Sequence, residues 1–378
     1  MKILRTLACA AATIGLSCQS APPVPAAFAA GANPALLRAD LGERLVDDED
    51  VVLADTRATL LQLVEGKHQQ GNDARDVHAK SHGCARARFV IDADVPLGLR
   101  HGLFATPAAY DALVRFSTSE PAQNGDDWNP SLKGFGLKVR GVSGERFSLD
   151  AEDDTQDFVF NNRPAFPLRD IVDYTAAMHV RRDGGLVAAA FALGHLYAVP
   201  GLVLDQNLIA SPLRASFWSQ TPIAVGDVAT KMSVRPCVVR ANGVPTLRDA
   251  SHGPNYLKER VIKELSSTSA CFDFLVQMRP VTPGDLNRSA AMAAAFPIED
   301  ASVVWPEPEA PFVRVARLTL PQQDISGAAW NTSCDALRFT PWHTLVAHQP
   351  LGSLNRGRRM VYDVLSRFRA AHTTNGAP

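Results

Sequence analysis

The chain has 378 residues, of which 46% are hydrophobic and 20% are charged. These proportions are typical of a globular protein, and they exclude a disordered, collagenous or low-complexity chain. Lysine and arginine together number 38 against 39 acidic residues, which gives a net charge of −1. This balance argues against a protein dedicated to binding nucleic acid, because such a protein carries a basic surface.

The first thirty residues have the pattern of a secretory signal peptide. Lys2 and Arg5 precede an apolar run at residues 7–16, and residues 27–29 read Ala-Phe-Ala, a small-x-small cleavage site. The apolar run is too short to span a bilayer, and no later segment is apolar enough to do so. We therefore predict a periplasmic or secreted protein without a membrane span. Lipid attachment at Cys18 is the alternative, although Gly15 stands where a bulky aliphatic residue is usual.

Four cysteines lie beyond the predicted signal peptide, at Cys84, Cys237, Cys271 and Cys334. An exported protein can form disulfides, because it folds in an oxidising environment. The spacings are long and contain no C-x-x-C, which disfavours a zinc or iron–sulfur cluster. The sequence leaves open whether these residues are buried thiols or form one or two disulfides.

Hydrophobic periodicity predicts the order of the secondary structure. A first helix is predicted over residues 35–64, a helical insert over residues 168–204, and a last helix over residues 355–371. Between them, alternation of apolar and polar residues predicts half-buried antiparallel strands. The clearest strands cover residues 85–91, 114–118, 135–140, 231–235, 272–279 and 312–320.

This order of strands, helices, strands and a helix predicts an α+β fold. Seven or eight strands are expected, and a closed barrel is the simplest way to remove sheet edges at about that number. We therefore expect a signal peptide at residues 1–30, an N-terminal helical segment at residues 31–74, and one large domain at residues 75–378.

Five segments carry residues that could take part in chemistry, and each has an ordinary interpretation. A lone histidine such as His78 is usually capped or solvated, and Asn161 and Asn162 lie in a common turn pattern. Tyr362 on an amphipathic helix is usually a core-edge residue with a solvated hydroxyl. The segments cover residues 75–83, 114–118, 133–138, 157–170 and 337–341 together with 358–362.

In combination, these segments resemble the heme catalase superfamily, in particular its short catalase-like members, the catalase-related peroxidases. The likeness covers about residues 75–369, and its elements occur in the family's order. Lys133 is a departure, since the family usually has arginine there. The elements are His-Ala-Lys at 78–80, Arg-Phe-Ser-Thr at 115–118, Lys-Gly-Phe at 133–135, Asn-Asn-x-Pro at 161–164 and Arg-x-x-x-Tyr at 358–362.

The resemblance implies a catalase-like antiparallel β-barrel of about eight strands, a heme cofactor, most simply of the b type, and a proximal helix near the C-terminus. It also implies a role for each matching residue. These are His78 as the distal histidine, Asn161 as its distal partner, Ser117 as the hydrogen-bond partner of the imidazole, Tyr362 as the iron ligand, Arg358 as its charge partner, Arg75, Arg115 and Arg369 as propionate ligands, and Phe166 as the aromatic residue on the distal face.

The chemical properties and the spacing of these residues are consistent with the roles that the resemblance implies. Arg358 and Tyr362 share one helix face, and a guanidinium beside a phenol favours the phenolate, a hard donor that suits ferric iron. Arg115 and Ser117 are two apart on a strand, so they point to the same side. His78 can accept and return the proton that must move between the two oxygens of a peroxide.

Several departures from the family bear on activity. Asp76 stands beside His78 where an aliphatic residue is usual, and Ser131 and Leu132 replace an Asp-Pro pair. Only 16 residues follow Tyr362, so we expect the long wrapping segment of typical catalases to be missing. We therefore expect an open heme pocket, a monomer or small homo-oligomer, and a bias toward peroxidase chemistry.

The function predicted from the sequence is that of an exported heme peroxidase or catalase-like enzyme. It would reduce hydrogen peroxide or organic peroxides through a ferryl intermediate, with an organic donor or a second peroxide as the reducing co-substrate. One alternative is a heme enzyme that transforms fatty-acid hydroperoxides, and another is a non-catalytic heme-binding protein. The joint presence of His78, Ser117 and Asn161 favours an enzyme, because a carrier needs only the proximal side.

Overall fold

The computed structural model describes residues 36–71, 75–119, 124–129, 131–147, 154–200, 208–242, 252–280 and 290–373. The predicted signal peptide and Cys18 lie outside these residues. Within the described ranges, no helix is both long and apolar enough to cross a bilayer.

The described residues form nine strands and seven helices. The strands are β1 Lys80–Ile91, β2 Ala109–Thr118, β3 Lys133–Arg140, β4 Thr155–Asn161, β5 Phe217–Trp218, β6 Ile223–Val225, β7 Val228–Pro236, β8 Ala270–Met278 and β9 Phe312–Leu320. The helices are α1 Glu49–Gln69, α2 Ile171–Asp183, α3 Gly185–Gly194, α4 Tyr256–Ser267, α5 Ala290–Ala295, α6 Ala328–Ala336 and α7 Ser353–Thr373.

Eight of the described strands close into an antiparallel barrel. They bond to one another in the order β5, β4, β3, β2, β1, β9, β8 and β7, and β5 pairs with β7 to complete the ring. Strand β6 lies beside the ring and forms a hairpin with β7. The predicted α+β fold with a barrel of about eight antiparallel strands is therefore confirmed.

The interior of the barrel is rich in aromatic side chains, which pack among aliphatic ones. The ring of Phe135 meets those of Phe116, Phe217 and Phe272 at centroid distances of 5.4, 5.2 and 5.2 Å. Since side chains alternate along a strand, the neighbours of Phe116 and Phe135 point to the outer face. Residues 112–118 of β2 are all buried, although alternation predicted a half-buried strand. Both of its faces are thus covered in the folded chain.

The first helix begins later than predicted. Residues 36–48 contain a short 3-10 turn, and α1 covers Glu49–Gln69 rather than residues 35–64. The cause is a tertiary contact. Buried Arg356 forms ion pairs with Glu43 and Glu49 at 2.7 Å each, and these ion pairs hold the segment before α1 against the start of α7. Asp48, the residue before α1, has a φ of 53°, so the helix cannot extend back through it.

Other boundaries also differ from the sequence predictions. Asn161, expected in a turn, is the last residue of β4, a strand that the pattern analysis did not identify. The helical insert consists of α2 and α3, and its predicted end at residue 204 lies outside the described residues. Two disulfides settle the open question about the cysteines, because Cys84 pairs with Cys334 and Cys237 with Cys271.

Candidate active site

A cavity of about 780 Å³ lies between the outer face of β2, β3 and β4 and the helices α1, α2, α3 and α7. The N-terminal helix α1 contributes Val64 and Lys67 to its wall. All of the site residues named from the sequence line this one cavity. They are His78, Ser117, Asn161, Arg75, Arg115, Phe166, Arg358, Tyr362 and Arg369.

One row across three neighbouring strands forms the floor beneath His78. Ser117 of β2 is opposite Gly134 of β3, and Gly134 is opposite Asn161 of β4. Gly134 has to be glycine, because a Cβ atom there would lie 2.5 Å from the His78 ring and 2.7 Å from the Ser117 hydroxyl. The absence of a side chain at Gly134 therefore leaves room for the His78 ring beside the Ser117 hydroxyl.

His78 is held in one orientation. Its Nδ1 atom lies 3.1 Å from the Ser117 hydroxyl oxygen, and its backbone carbonyl accepts a hydrogen bond from Arg115 at 3.0 Å. Its φ of 55° is a left-handed conformation that non-glycine residues adopt only where their surroundings enforce it. Within the described part of the chain, Nε2 makes no hydrogen bond, so it is the ring atom left for a ligand in the cavity.

His78 is neutral at ordinary pH. Burial lowers its pKa to about 3, and the nearby guanidinium groups of Arg115 and Arg358 act in the same direction. A neutral imidazole with one nitrogen bound to a hydroxyl can accept a proton at the other nitrogen. The Asp76 carboxylate, which the sequence placed beside this histidine, is turned toward other groups.

Asp76 joins two helices at the rim of the cavity. It is buried and forms ion pairs with Lys67 of α1 at 2.5 Å and Arg181 of α2 at 2.9 Å. Burial alone would raise the pKa of Asp76, but its bonds to Arg181 and Lys67 outweigh burial and lower the pKa below the usual value. Asp76 therefore acts as an ionised link between α1 and α2.

Asn161 is oriented by a residue that sequence reasoning missed. Its amide nitrogen donates to the side-chain oxygen of Gln220 at 2.8 Å, and the Gln220 amide donates to the Ala165 carbonyl at 2.8 Å. The Asn161 Oδ1 atom is buried and has no hydrogen-bond partner among the described residues. A buried acceptor without a partner is unfavourable, so this atom fits a ligand that donates a hydrogen bond. No sequence signal points to Gln220.

One end of the cavity is strongly cationic. Arg75 donates to the backbone carbonyls of Asp335, at 3.0 Å, and Leu337, and Arg115 lies 3.9 Å from the Asp335 carboxylate. Burial, with the neighbouring charges of Arg115 and Arg369, lowers the pKa of Arg75 to about 8. Burial likewise lowers the pKa of Arg115 to about 10. Clustered, desolvated guanidinium groups of this kind are stabilised by added anions.

Tyr362 and Arg358 lie one turn apart on α7, as expected, but the hydrogen bonds of Arg358 go elsewhere. Its guanidinium donates to the Thr221 hydroxyl at 3.1 Å and to the Asn355 side-chain oxygen at 3.3 Å. It also lies 6.0 Å from the centre of the Phe166 ring. Among the described residues, the Tyr362 hydroxyl makes no hydrogen bond. It is thus free to bind a ligand within the cavity.

The outer part of the cavity is apolar. Met178 of α2, Phe191 of α3 and Val199 line it. On the outward side of α3, Leu186 and Leu193 are 90% and 76% exposed. The cavity thus joins a polar, titratable region near the barrel to an apolar region under the helical insert.

Comparison with known proteins supports the fold alone. Catalase A from Saccharomyces cerevisiae superposes with a TM-score of 0.64 at 17% identity, over 86% of this chain and 65% of the catalase. A fungal catalase gives 0.63 at 17% identity over 78% and 59%, and a bacterial catalase gives 0.62 at 18% over 92% and 64%. No family model and no curated protein matches the sequence.

The chain spans 59–65% of the length of these catalases. At this identity the likeness concerns the arrangement of the backbone, and it coincides with the family that the sequence motifs resemble. The chain therefore has the catalase fold, as its sequence predicts.

Proposed function

We propose that the protein binds heme in this cavity and reduces hydrogen peroxide or organic peroxides. The observation that carries the proposal is the convergence of a neutral, hydroxyl-bound His78, an unpartnered Asn161 oxygen and a free Tyr362 hydroxyl on one cavity. Electrons would come from an organic donor or from a second hydrogen peroxide. Each peroxide then takes up two electrons and two protons to give water, or water and an alcohol.

The described residues fit heme in three respects. The cavity is lined mainly by apolar side chains, which suit the faces of a macrocycle. The arginines at one end suit its two carboxylates, because these anions offset the mutual repulsion of Arg75, Arg115 and Arg369. Tyr362 supplies the kind of hard oxygen donor that ferric heme accepts.

These positions support the roles that the resemblance implies. Tyr362 would be the protein ligand of the iron, and Arg75, Arg115 and Arg369 would hold the carboxylates. Bound heme supplies the redox chemistry that splits the oxygen–oxygen bond. The residues on the barrel side bind and orient the peroxide.

Proton movement is assigned to His78. Because its Nδ1 is held by Ser117, the neutral ring accepts a proton at Nε2 from one peroxide oxygen and returns it to the other. Asn161, fixed by Gln220, offers its Oδ1 atom as an acceptor that does not itself take the proton. Arg358, held by Thr221 and Asn355, lies one helix turn before Tyr362, where it would be the charge partner of the ligand.

The apolar outer region favours a second candidate, an enzyme that transforms fatty-acid hydroperoxides. Met178, Phe191 and Val199 would contact an alkyl chain there. Comparing the turnover of hydrogen peroxide with that of a long-chain hydroperoxide distinguishes the two. A higher kcat/KM for the long-chain substrate, with a rearranged product in place of an alcohol, would favour the second candidate.

The test begins with a titration of the protein with hemin, followed by absorption spectra and peroxide consumption. We expect one heme per chain, a high-spin ferric spectrum and a spectral change on adding one equivalent of peroxide. The His78→Ala variant should keep its heme but lose turnover by on the order of 100- to 10,000-fold, the usual contribution of a general acid–base group. Heme binding with unchanged turnover in this variant would contradict the assignment.

The proximal side is tested separately. Tyr362→Phe removes the ligand atom while keeping the ring, so it should lose the wild-type ferric spectrum. If the wild-type protein itself retains no heme, the proposal as a whole is refuted. Heme binding without any response to peroxide would instead favour a non-catalytic heme-binding protein.

We also propose that the protein acts outside the cytoplasm, as a periplasmic or secreted enzyme. The pattern of residues 1–30 supports this proposal, and so do the two disulfides, which persist in oxidising compartments. Fractionation of expressing cells, with mass measurement of the mature N-terminus, would separate cleavage after residue 29 from lipid attachment at Cys18. Light scattering would test the expected monomer or small homo-oligomer.

A further inference from the structure

The disulfide between Cys84 and Cys334 lies directly behind the cationic end of the cavity. Cys84 belongs to β1 and Cys334 to α6, and the two are 250 positions apart in sequence with Cα atoms 5.7 Å apart. Both are almost completely buried, with exposures of 0% and 2%. This crosslink therefore joins the barrel wall to a distant segment of the chain.

Both cysteines of this disulfide lie close to Arg75 or Arg115, the arginines at the cationic end of the cavity. Cys84 is paired in register with Arg115 on the neighbouring strand β2. Cys334 is followed by Asp335, whose carboxylate lies 3.9 Å from Arg115 and whose carbonyl accepts a hydrogen bond from Arg75. Arg115 is thus connected to both cysteines of the disulfide, to Cys84 through the strand pairing and to Cys334 through the ion pair with the next residue, Asp335.

The position of the segment after Cys334 depends on this disulfide. The segment supplies the Asp335 and Leu337 carbonyls that hold Arg75, while Arg75 and Arg115 repel each other in a buried setting. Helix α6 has nine residues, which is too short to be stable without tertiary contacts. Its other contacts with β1 include the hydrogen bond from Trp330 Nε1 to the Cys84 carbonyl at 2.9 Å. Loss of the crosslink would therefore leave α6 with non-covalent contacts to β1 only.

We propose that the Cys84–Cys334 disulfide is a positioning element of the cofactor site, which holds Arg75 and Arg115 ready for the two carboxylates of heme. The inference rests on the proposed function, since it concerns the same cofactor. A prearranged site loses less conformational freedom on binding and therefore binds more tightly. Heme retention accordingly depends on whether this pair is oxidised.

The test compares two variants that each lack one disulfide. Cys84→Ala/Cys334→Ala removes the proposed positioning bond. Cys237→Ala/Cys271→Ala is the matched control, because that pair lies at the ends of β7 and β8 and neither residue lines the cavity. Hemin affinity is measured by titration, and the rate of hemin loss by transfer to excess apomyoglobin.

We expect hemin to leave the first variant at least about ten times faster than it leaves the wild type, and the control to stay within about twofold. Hemin dimethyl ester, whose carboxylates are blocked, separates positioning from general loosening. The disulfide should make little difference to the affinity for the ester, because Arg75 and Arg115 have no carboxylates to bind. Equal weakening for hemin and its ester would overturn the inference.

If the first variant does not fold, the Cys237→Ala/Cys271→Ala protein provides the measurement, because Cys84–Cys334 is then the one disulfide left among the described residues. It is reduced, freed of reductant under argon and checked by circular dichroism and thiol counting before hemin is added. Faster hemin loss that reverses on reoxidation supports the inference, and an unchanged rate refutes it. Failure of the oxidised wild type to bind hemin would refute the proposed function instead.

Discussion

Replacing Gly134 with alanine should displace His78, the histidine proposed to move the proton, without touching the residues proposed to hold the cofactor. The added Cβ atom would lie 2.5 Å from His78 Nδ1 and 2.6 Å from its Cε1 atom. Non-bonded heavy atoms make ordinary contact at about 3.5 Å, so the ring has to withdraw by about 1 Å. A misplacement of this size lowers turnover on the order of 100-fold.

The assay is steady-state peroxide consumption by hemin-loaded protein, with hemin affinity and thermal stability measured in parallel. Gly98→Ala is the matched control, since nothing lies within 4 Å of a Cβ atom at that position. We expect Gly134→Ala to lose about 100-fold in kcat while binding hemin as the wild type does. Full turnover in a normally loaded Gly134→Ala protein would refute the geometry proposed for His78 and Ser117.

Two further predictions concern stability. Burial lowers the pKa of His348 to about 4, and its Nε2 accepts a hydrogen bond from the Leu103 backbone N–H at 2.8 Å. As the pH falls, His348 is therefore protonated in the unfolded chain before it is protonated in the folded protein. Between about pH 6.5 and about pH 4, this difference lowers the free energy of unfolding by about 1.4 kcal/mol for each pH unit. Urea unfolding of His348→Ala should show a shallower loss of stability on acidification, and an identical slope would contradict the prediction. Asp76→Asn removes the carboxylate between Lys67 and Arg181, whose side chains are 23% and 27% exposed, and should lower the free energy of unfolding by about 2 kcal/mol. Urea unfolding at neutral pH tests this, and a change below about 0.5 kcal/mol, the range of ordinary surface substitutions, would contradict it.

Much of the fold can be predicted from the sequence, because strands and helices leave local periodic patterns. The strand predicted at residues 312–320 coincides with β9, and the last predicted helix lies within α7. The short strands β5 and β6 were missed because two or three residues cannot show a period. The start of α1 was misplaced because the distant Arg356 determines it through Glu43 and Glu49.

Some residues of the candidate site could likewise be predicted from the sequence, and others could not. His78, Asn161 and Tyr362 could be named from short motifs, since their residue types and order resemble those of one family. Gln220 and Thr221 could not, because each acts only through a residue more than fifty positions away. The same holds for the partners of Asp76, which the sequence placed beside the histidine and the structure pairs with Lys67 and Arg181.

By itself the sequence determined the α+β class, the barrel and nine of the residues that line the cavity. These properties depend on hydrophobic periodicity and on motifs that lie within a few residues of one another. Only the tertiary structure decided which cysteines pair, where the carboxylate of Asp76 points and which groups orient Asn161 and Arg358. Those features depend on contacts between distant segments, whose geometry is set when the barrel closes and the helices pack against its outer face.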